Sequence, residues 1–78
     1  MRRLPRITGK EIIAVLTKIG FKIYKQRGSH VYLKHSNGRV TVVPIHAGEI
    51  IGPGLLLKIL KDVEISRQDF IRILEKEK

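Results

Sequence analysis

The chain has 78 residues, of which 42% are hydrophobic and 29% charged, as expected of one folded domain. It has no cysteine, which excludes a disulfide framework, a cysteine-ligated zinc site and a thiol nucleophile. Lys and Arg number 16 against 7 Asp and Glu, a formal net charge of +9. No apolar run approaches the roughly 20 residues that span a bilayer, so we expect a soluble, cytoplasmic protein without a membrane partner.

The first predicted element is an amphipathic helix over about residues 9–19. Thr8 and Glu11 have the spacing of a capping box, in which each side chain bonds the backbone N–H of the other. Apolar residues then recur at helical spacing: Ile12, Ile13, Val15, Leu16 and Ile19. Gly20 is the residue type that commonly ends a helix in a left-handed turn.

Three strand-like runs follow, over residues 21–26, 30–35 and 39–43. Between the last two, Ser36-Asn37-Gly38 predicts a hairpin turn, because Asn-Gly tolerates the positive φ that such turns need. The alternation predicts a buried face made of Phe21, Ile23, Val31, Leu33, Val40 and Val42. The opposite face would carry Lys22, Tyr24, Gln26, His30, Tyr32, Lys34, Arg39 and Thr41. We therefore expect this second face to be exposed, basic and partly aromatic.

Two helices complete the chain. Pro44 ends the third strand, and Gly52-Pro53-Gly54 begins a helix with an apolar stripe of Leu55, Leu56, Ile59, Leu60 and Val63. A short terminal helix begins at Ser66, where Asp69 is at the capping-box position. The predicted fold is α+β, in the order α-β-β-β-α with a short terminal helix. Residues 1–78 form one domain, with helices on one face of a three-stranded antiparallel sheet.

The charge is distributed unevenly along the chain. Residues 1–39 hold ten basic side chains and one acidic side chain, whereas residues 40–78 hold six of each sign. The folded surface should therefore have a basic face that attracts polyanions, with nucleic acid the first candidate. A charge that served only solubility would need no such segregation.

His30 is the candidate for chemistry on this face. An imidazole exchanges a proton near neutral pH, and RNA cleavage through the 2′-hydroxyl requires a base and a cation but neither metal nor cofactor. Stacking on a base or capping a turn is the alternative role that spacing leaves open for His30. Together with His35 and His46 it forms no metal-ligand spacing, so we expect no metal site.

A set of short motifs runs in order along about residues 4–74. They are Leu4-Pro5, Thr8-Gly9-Lys10-Glu11, Gly20-Phe21, Gly28-Ser29-His30, Asn37-Gly38-Arg39, Thr41-Val42-Val43-Pro44-Ile45-His46, Gly54, Ile59-Leu60 and Ile65-Ser66-Arg67-Gln68-Asp69-Phe70. Any one of these is a weak signal, but the ordered set resembles the HicA/YcfA family of toxins.

The resemblance implies a double-stranded-RNA-binding-domain-like fold and the activity of an mRNA interferase, a ribosome-independent endoribonuclease. Such toxins belong to type II toxin–antitoxin systems and are neutralised by a HicB-type antitoxin. The family's catalytic histidine is that of the Gly-Ser-His motif, which is His30 here. On this hypothesis Gly28 and Ser29 form the turn that presents His30. Phosphate contacts would come from Lys22, Lys25, Arg27, Lys34 and Arg39, and base stacking from Tyr24 and Tyr32.

The chain departs from the family pattern at two positions. Val31 stands where many members have a second histidine, and Leu55 where many have threonine. His46 matches a common family position, for which stabilisation of a turn and contact with RNA both remain open. Two other functions use the same basic face: a non-catalytic RNA- or DNA-binding module, and an interaction protein that holds an acidic antitoxin.

Overall fold

The computed structural model describes residues 6–46 and 48–77; Leu4-Pro5 of the motif set and the basic Arg2 and Arg3 lie outside these ranges. The elements are α1 (Gly9–Lys18), β1 (Phe21–Arg27), β2 (His30–His35), β3 (Val40–Pro44), α2 (Pro53–Val63) and α3 (Arg67–Glu77). The strands form one antiparallel sheet in the order β1-β2-β3. α1 packs against β1, β3 and α3, and α2 packs against β3. The α+β, double-stranded-RNA-binding-domain-like prediction is confirmed.

The capping box of α1 is present as predicted. The Thr8 hydroxyl accepts from the Glu11 backbone N–H, and the Glu11 carboxylate accepts from that of Thr8 at 2.9 Å. Gly9 begins the helix against the end of β3, where a Cβ would come within 1.9 Å of the Pro44 carbonyl oxygen. Only glycine allows this approach, which fixes the start of α1 beside the end of β3.

The core contains aliphatic and phenylalanine side chains from all six elements. Its buried members are Ile7, Ile12, Val15, Leu16, Phe21, Val31, Leu33, Val43, Ile51, Leu56, Ile59, Leu60, Val63, Phe70, Ile71 and Leu74. Phe21, Val31 and Leu33 confirm the predicted inner face. Ile23 is opposite Leu33 but remains 53% exposed, because β1 is an edge strand.

The prediction for β3 was wrong: the strand faces the other way. The predicted face requires Leu33 to pair with Val42, as a two-residue Asn37-Gly38 turn would give. The turn has three residues instead, and the His35 N–H donates to the Arg39 carbonyl at 2.8 Å. Leu33 consequently pairs with Thr41. Since cross-strand partners share a face and one residue of slip reverses it, Thr41 and Val43 are buried. Val40, expected in the core, is 48% exposed, and Val42 is also turned away from the core.

A β-bulge changes the alternation of β1. The register shifts between Ile23 and Lys25, so that Lys25 pairs with Tyr32 and Arg27 with His30. Gln26, expected on the face away from the core, is opposite buried Val31 and so lies on the core side of the sheet, although it remains exposed. The bulge thus turns the cations of the second half of β1 towards the face of β2 that points away from the core.

The two C-terminal helices begin where the sequence predicts. Gly52 is the N-cap of α2 and Pro53 its first residue; Leu55 lies outside the buried stripe and is 37% exposed. The Ser66 hydroxyl accepts from the Asp69 backbone N–H at the start of α3. α3 is as long as α2, 11 residues, rather than short.

Candidate functional site

The side of the sheet away from the core, called the outer face below, is organised in three rows of cross-strand partners. They are the histidine row (Arg27, His30, Pro44), the tyrosine row (Lys25, Tyr32, Val42) and the lysine row (Lys22, Lys34, Val40). Successive rows are about 7 Å apart, because a strand rises about 3.4 Å per residue. The rows place a histidine, a tyrosine and four cations on one surface.

His30 is presented by a tight turn at the start of β2. Gly28 has φ +57° and Ser29 does not share a positive φ, the pattern of a two-residue type II′ hairpin. The Ile45 N–H donates to the Ser29 carbonyl at 2.7 Å, which ties the turn to the segment after β3. The His30 side chain is exposed, lies opposite Arg27, and makes no hydrogen bond within residues 6–46 and 48–77. Its ring nitrogens are therefore open to a ligand.

A second histidine lies at the same end of the sheet. The Nε2 atom of His46 is 3.2 Å from the Ser29 hydroxyl oxygen, although the two residues are 17 apart in the chain. This contact and the Ile45 bond fix the 45–46 segment against the turn that precedes His30. The geometry favours the turn-stabilising role for His46 of the two left open by the sequence.

The centre of the outer face is aromatic and cationic. The rings of Tyr24 and Tyr32 meet edge to face with centroids 6.2 Å apart. The Lys25 ammonium lies 5.1 Å from the centroid of the Tyr32 ring, within cation–π distance. The bulge produces this cluster, because it brings both Tyr24 and Lys25 to the side of Tyr32.

Residues 9–65 match the family model described as the HicA toxin of bacterial toxin–antitoxin systems. The match spans more than half of the chain and includes the whole sheet and its His30 turn. The chain belongs to the HicA toxin family. No curated protein gives a significant match to it. Membership makes this chain the toxin component of a toxin–antitoxin system, with an antitoxin as its partner.

One predicted RNA-binding residue of the HicA-family toxin does not lie on the outer face. Arg39 is half-buried; its Nη1 donates to the Val63 carbonyl at the end of α2, and its guanidinium carbon lies 5.3 Å from the centroid of the Phe21 ring. Its Nε is buried without a partner in the described part of the chain. Arg39 therefore joins the start of β3 to the end of α2. Thr41, which was also expected on the exposed face, is buried.

His35 is fixed within the toxin by both of its ring nitrogens. Nδ1 accepts from the Asn37 N–H at 3.2 Å, and Nε2 is 3.1 Å from the Ile19 carbonyl oxygen. A neutral ring with its proton on Nε2 satisfies both bonds. The ring also meets Phe21 edge to face at 5.1 Å between centroids. His35 therefore holds the end of β2 to the end of α1.

The sequence did not predict that Val40 and Val42 belong to the outer face of the toxin, nor that His46 contacts Ser29. The face on which Val40 and Val42 lie is decided by the length of the turn after β2. A three-residue turn ending in glycine is a common hairpin class and was the signal that could have shown it. Across residues 6–46 and 48–77, no three His, Asp or Glu side chains come together as a metal site. In the same ranges no helix is long and apolar enough to cross a membrane.

Proposed function

We propose that this HicA-family toxin is an endoribonuclease, an mRNA interferase, in which His30 is the general acid/base. The observation that best supports the proposal is the exposed His30 imidazole directly opposite Arg27, at one end of a cation-bearing face. A base and a cation side by side are what cleavage through the 2′-hydroxyl requires. Because mRNA is cytoplasmic, the proposal places the toxin there.

The chemistry needs only the groups of the histidine row, the RNA and a water molecule. His30 takes the proton of the 2′-hydroxyl, the 2′-oxygen attacks the neighbouring phosphorus, and the bond from phosphorus to the 5′-oxygen breaks. The leaving 5′-oxygen takes up a proton from water, and the products are a 2′,3′-cyclic phosphate and a 5′-hydroxyl. Arg27 stabilises the negative charge that develops on the phosphoryl oxygens.

Binding of the RNA would rest on the other two rows. Lys22, Lys25 and Lys34 provide the phosphate contacts, and Tyr24 and Tyr32 provide ring faces on which unpaired bases stack. Arg39 is not part of this set, because its guanidinium is already held between Val63 and Phe21.

Gly28, Ser29 and His46 would act on the position of His30. The positive φ of Gly28 makes the two-residue turn possible, and the Ser29 hydroxyl within 3.2 Å of His46 fixes its second residue. These residues are positioning groups in the proposal, since each acts through the turn that presents the imidazole.

The proposal is tested by cleavage of a defined single-stranded RNA in EDTA. Three proteins are compared: wild type, His30→Gln, and Arg67→Ala, which removes an exposed cation at the start of α3, outside the three rows. Each RNA is also made with one 2′-deoxy nucleotide at the cut position. We expect wild type and Arg67→Ala to cut, His30→Gln to bind without cutting, and the deoxy substitution to abolish the cut at that position alone.

Two results would replace this proposal. If wild type binds RNA with the expected salt dependence but never cuts, the chain is a non-catalytic nucleic-acid-binding module on the same face. If cutting persists at a 2′-deoxy position, the 2′-hydroxyl is not the nucleophile and His30 has another role.

The antitoxin would neutralise the toxin by covering the outer face. We propose a HicB-type antitoxin that places acidic side chains or a chain segment over the histidine row, because the face is basic and His30 is open. Hydrogen exchange of the toxin with and without its antitoxin should show protection at β2. Protection confined to α3, with cleavage still blocked, would contradict direct occlusion.

A further inference from the structure

Two depressions on the outer face meet at Tyr24. One, of about 430 Å³, is lined by Gly20, Lys22, Tyr24, Lys34, His35 and Ser36. The other, of about 350 Å³, is lined by Tyr24, Tyr32, Val40, Val42, Lys58 and Asp62, together with Thr41. Both volumes lie in the range of roughly 300–1,000 Å³ typical of small-molecule sites. Tyr24 contributes to both, so one ligand can occupy the two together.

The second depression combines an apolar floor with a polar rim. Tyr24 is 55% and Val40 48% exposed, an apolar surface that the core does not use. At the rim Asp62 Oδ2 accepts from Lys58 Nζ at 3.1 Å and from the Thr41 hydroxyl at 3.2 Å. Asp62 Oδ1 has no such partner in the described residues. A flat ring with hydrogen-bonding groups on its edge, such as an unpaired nucleobase, fits this combination.

The first depression places two cations face to face. Lys22 and Lys34 are direct cross-strand partners, and like charges in that position repel each other. A phosphate between them removes the repulsion and adds two charge-assisted hydrogen bonds. The pair is therefore suited to an anion beside the base-sized depression.

We propose that the two depressions form one nucleotide subsite, with the base against Tyr24, Tyr32 and the two valines and the phosphate between Lys22 and Lys34. The subsite rests on the proposed ribonuclease function. Along β2 it lies two to four residues from His30, about 7–14 Å. It holds a nucleotide that flanks the scissile bond and so determines where the RNA is cut.

A nucleotide suits the surface better than an apolar segment of the antitoxin does. An aliphatic side chain would fill the floor, but it would exclude water from Asp62 Oδ1 and from the Lys22–Lys34 pair without giving either a partner. A nucleotide supplies a ring, a polar edge and an anion in one molecule.

The chain itself provides a selective reporter for the test. It has two tyrosines and no tryptophan, and both tyrosines line the subsite. The full chain with His30→Ala, labelled with 3-fluorotyrosine, therefore gives two ¹⁹F resonances. These are followed during titration with AMP, with adenosine, which lacks the phosphate, and with ribose 5-phosphate, which lacks the base.

We expect AMP to shift both resonances, and adenosine and ribose 5-phosphate to bind more weakly. Tyr24→Ala should weaken AMP by roughly 5- to 150-fold, the range of one stacked base, and Tyr24→Phe should keep most of the affinity. Lys34→Ala should weaken AMP and ribose 5-phosphate but leave adenosine unchanged. Arg67→Ala loses the same charge away from the subsite and serves as the matched control.

The outcomes separate the subsite from the ribonuclease proposal. If wild type cuts RNA but AMP shifts neither resonance, the subsite proposal is contradicted and the ribonuclease proposal is supported. If AMP binds, the Tyr24, Lys34 and Arg67 variants change its affinity as expected, and no RNA is cut, the subsite proposal is supported and the ribonuclease proposal is contradicted. If the purified antitoxin shifts the resonances and no nucleotide does, the depressions belong to the antitoxin and the proposal is overturned.

Discussion

A histidine and an arginine lie at each end of β2, exposed at one end and held by hydrogen bonds at the other. At the start of the strand His30 and Arg27 are exposed partners across a turn, and no hydrogen bond within the described residues engages the imidazole. At the other end both ring nitrogens of His35 are engaged, and Arg39 bonds the Val63 carbonyl. A histidine or arginine is available for chemistry only where the fold has not already used its donors and acceptors.

Turn geometry causes the difference. The two-residue turn at Gly28 leaves Arg27 and His30 exposed as cross-strand partners, whereas Arg39, which follows the three-residue turn after β2, bonds the Val63 carbonyl at the end of α2. The first end is thus free for a ligand, and the second joins the sheet to the helices. Substitutions at the two ends should separate activity from stability.

The largest expected effect is that of His30→Ala. The rate of RNA cleavage should fall about 10²- to 10⁴-fold, the usual contribution of a general acid or base, while the free energy of unfolding changes by less than about 0.5 kcal/mol. Single-turnover cleavage and urea unfolding measure the two. His35→Ala, at the other end, should lower the free energy of unfolding and slow cleavage far less than His30→Ala does; an equal loss of cleavage by fully folded His35→Ala would contradict the comparison.

Arg39→Ala tests the structural end of the sheet. Loss of the charged hydrogen bond to Val63 should reduce the free energy of unfolding by about 1.5–3 kcal/mol, as measured in urea. RNA affinity of the folded fraction should not change, in contrast to Lys34→Ala. If Arg39→Ala weakens RNA binding as much as Lys34→Ala does, Arg39 contacts RNA as the sequence predicted.

Gly28→Ala tests the turn that presents His30. No atom lies within 4 Å of the Cβ position, so the cost comes from φ +57° alone, about 1–2 kcal/mol for a residue with a side chain. Thermal unfolding and cleavage rates should change in parallel; a destabilised but fully active Gly28→Ala would show that the turn does not position His30.

The smallest effect is expected from the contact between Ser29 and His46. Ser29→Ala and His46→Ala should each change stability by about 0.5–1.5 kcal/mol. If the contact positions His30, each should lower kcat a few-fold with KM unchanged. The double variant should be no slower than either single variant, because both remove one interaction. Additive losses would mean that His46 contacts the RNA directly.

The elements of the fold were predictable because their signals are local. The capping box at Thr8, the proline at the start of α2 and the alternation of β2 each depend on residues within a few positions of one another. The position of His30 at the start of β2, on the face away from the core, followed from the same signals.

The faces of β1 and β3 were not predictable, because both depend on one residue. A single residue in the turn after β2 decides whether Val42 or Thr41 is buried, and a single bulge residue decides where Lys25 points. β3 gives no alternation to decide the matter, since Val40-Thr41-Val42-Val43 is acceptable on either face. Contacts such as Arg39 with Val63, 24 residues apart, are then fixed only by the assembled fold.

The order β1-β2-β3 leaves β1 with one side unpaired among the described residues. Lysines, an arginine and a bulge are what sheet proteins use to stop such a side from joining a strand of another molecule. Lys22, Lys25 and Arg27 would therefore oppose edge-to-edge pairing with another copy, in addition to making the RNA contacts proposed for them. Replacing all three with small neutral residues should promote self-association through this edge, so the positive charge protects the fold of the sheet as well as serving its surface.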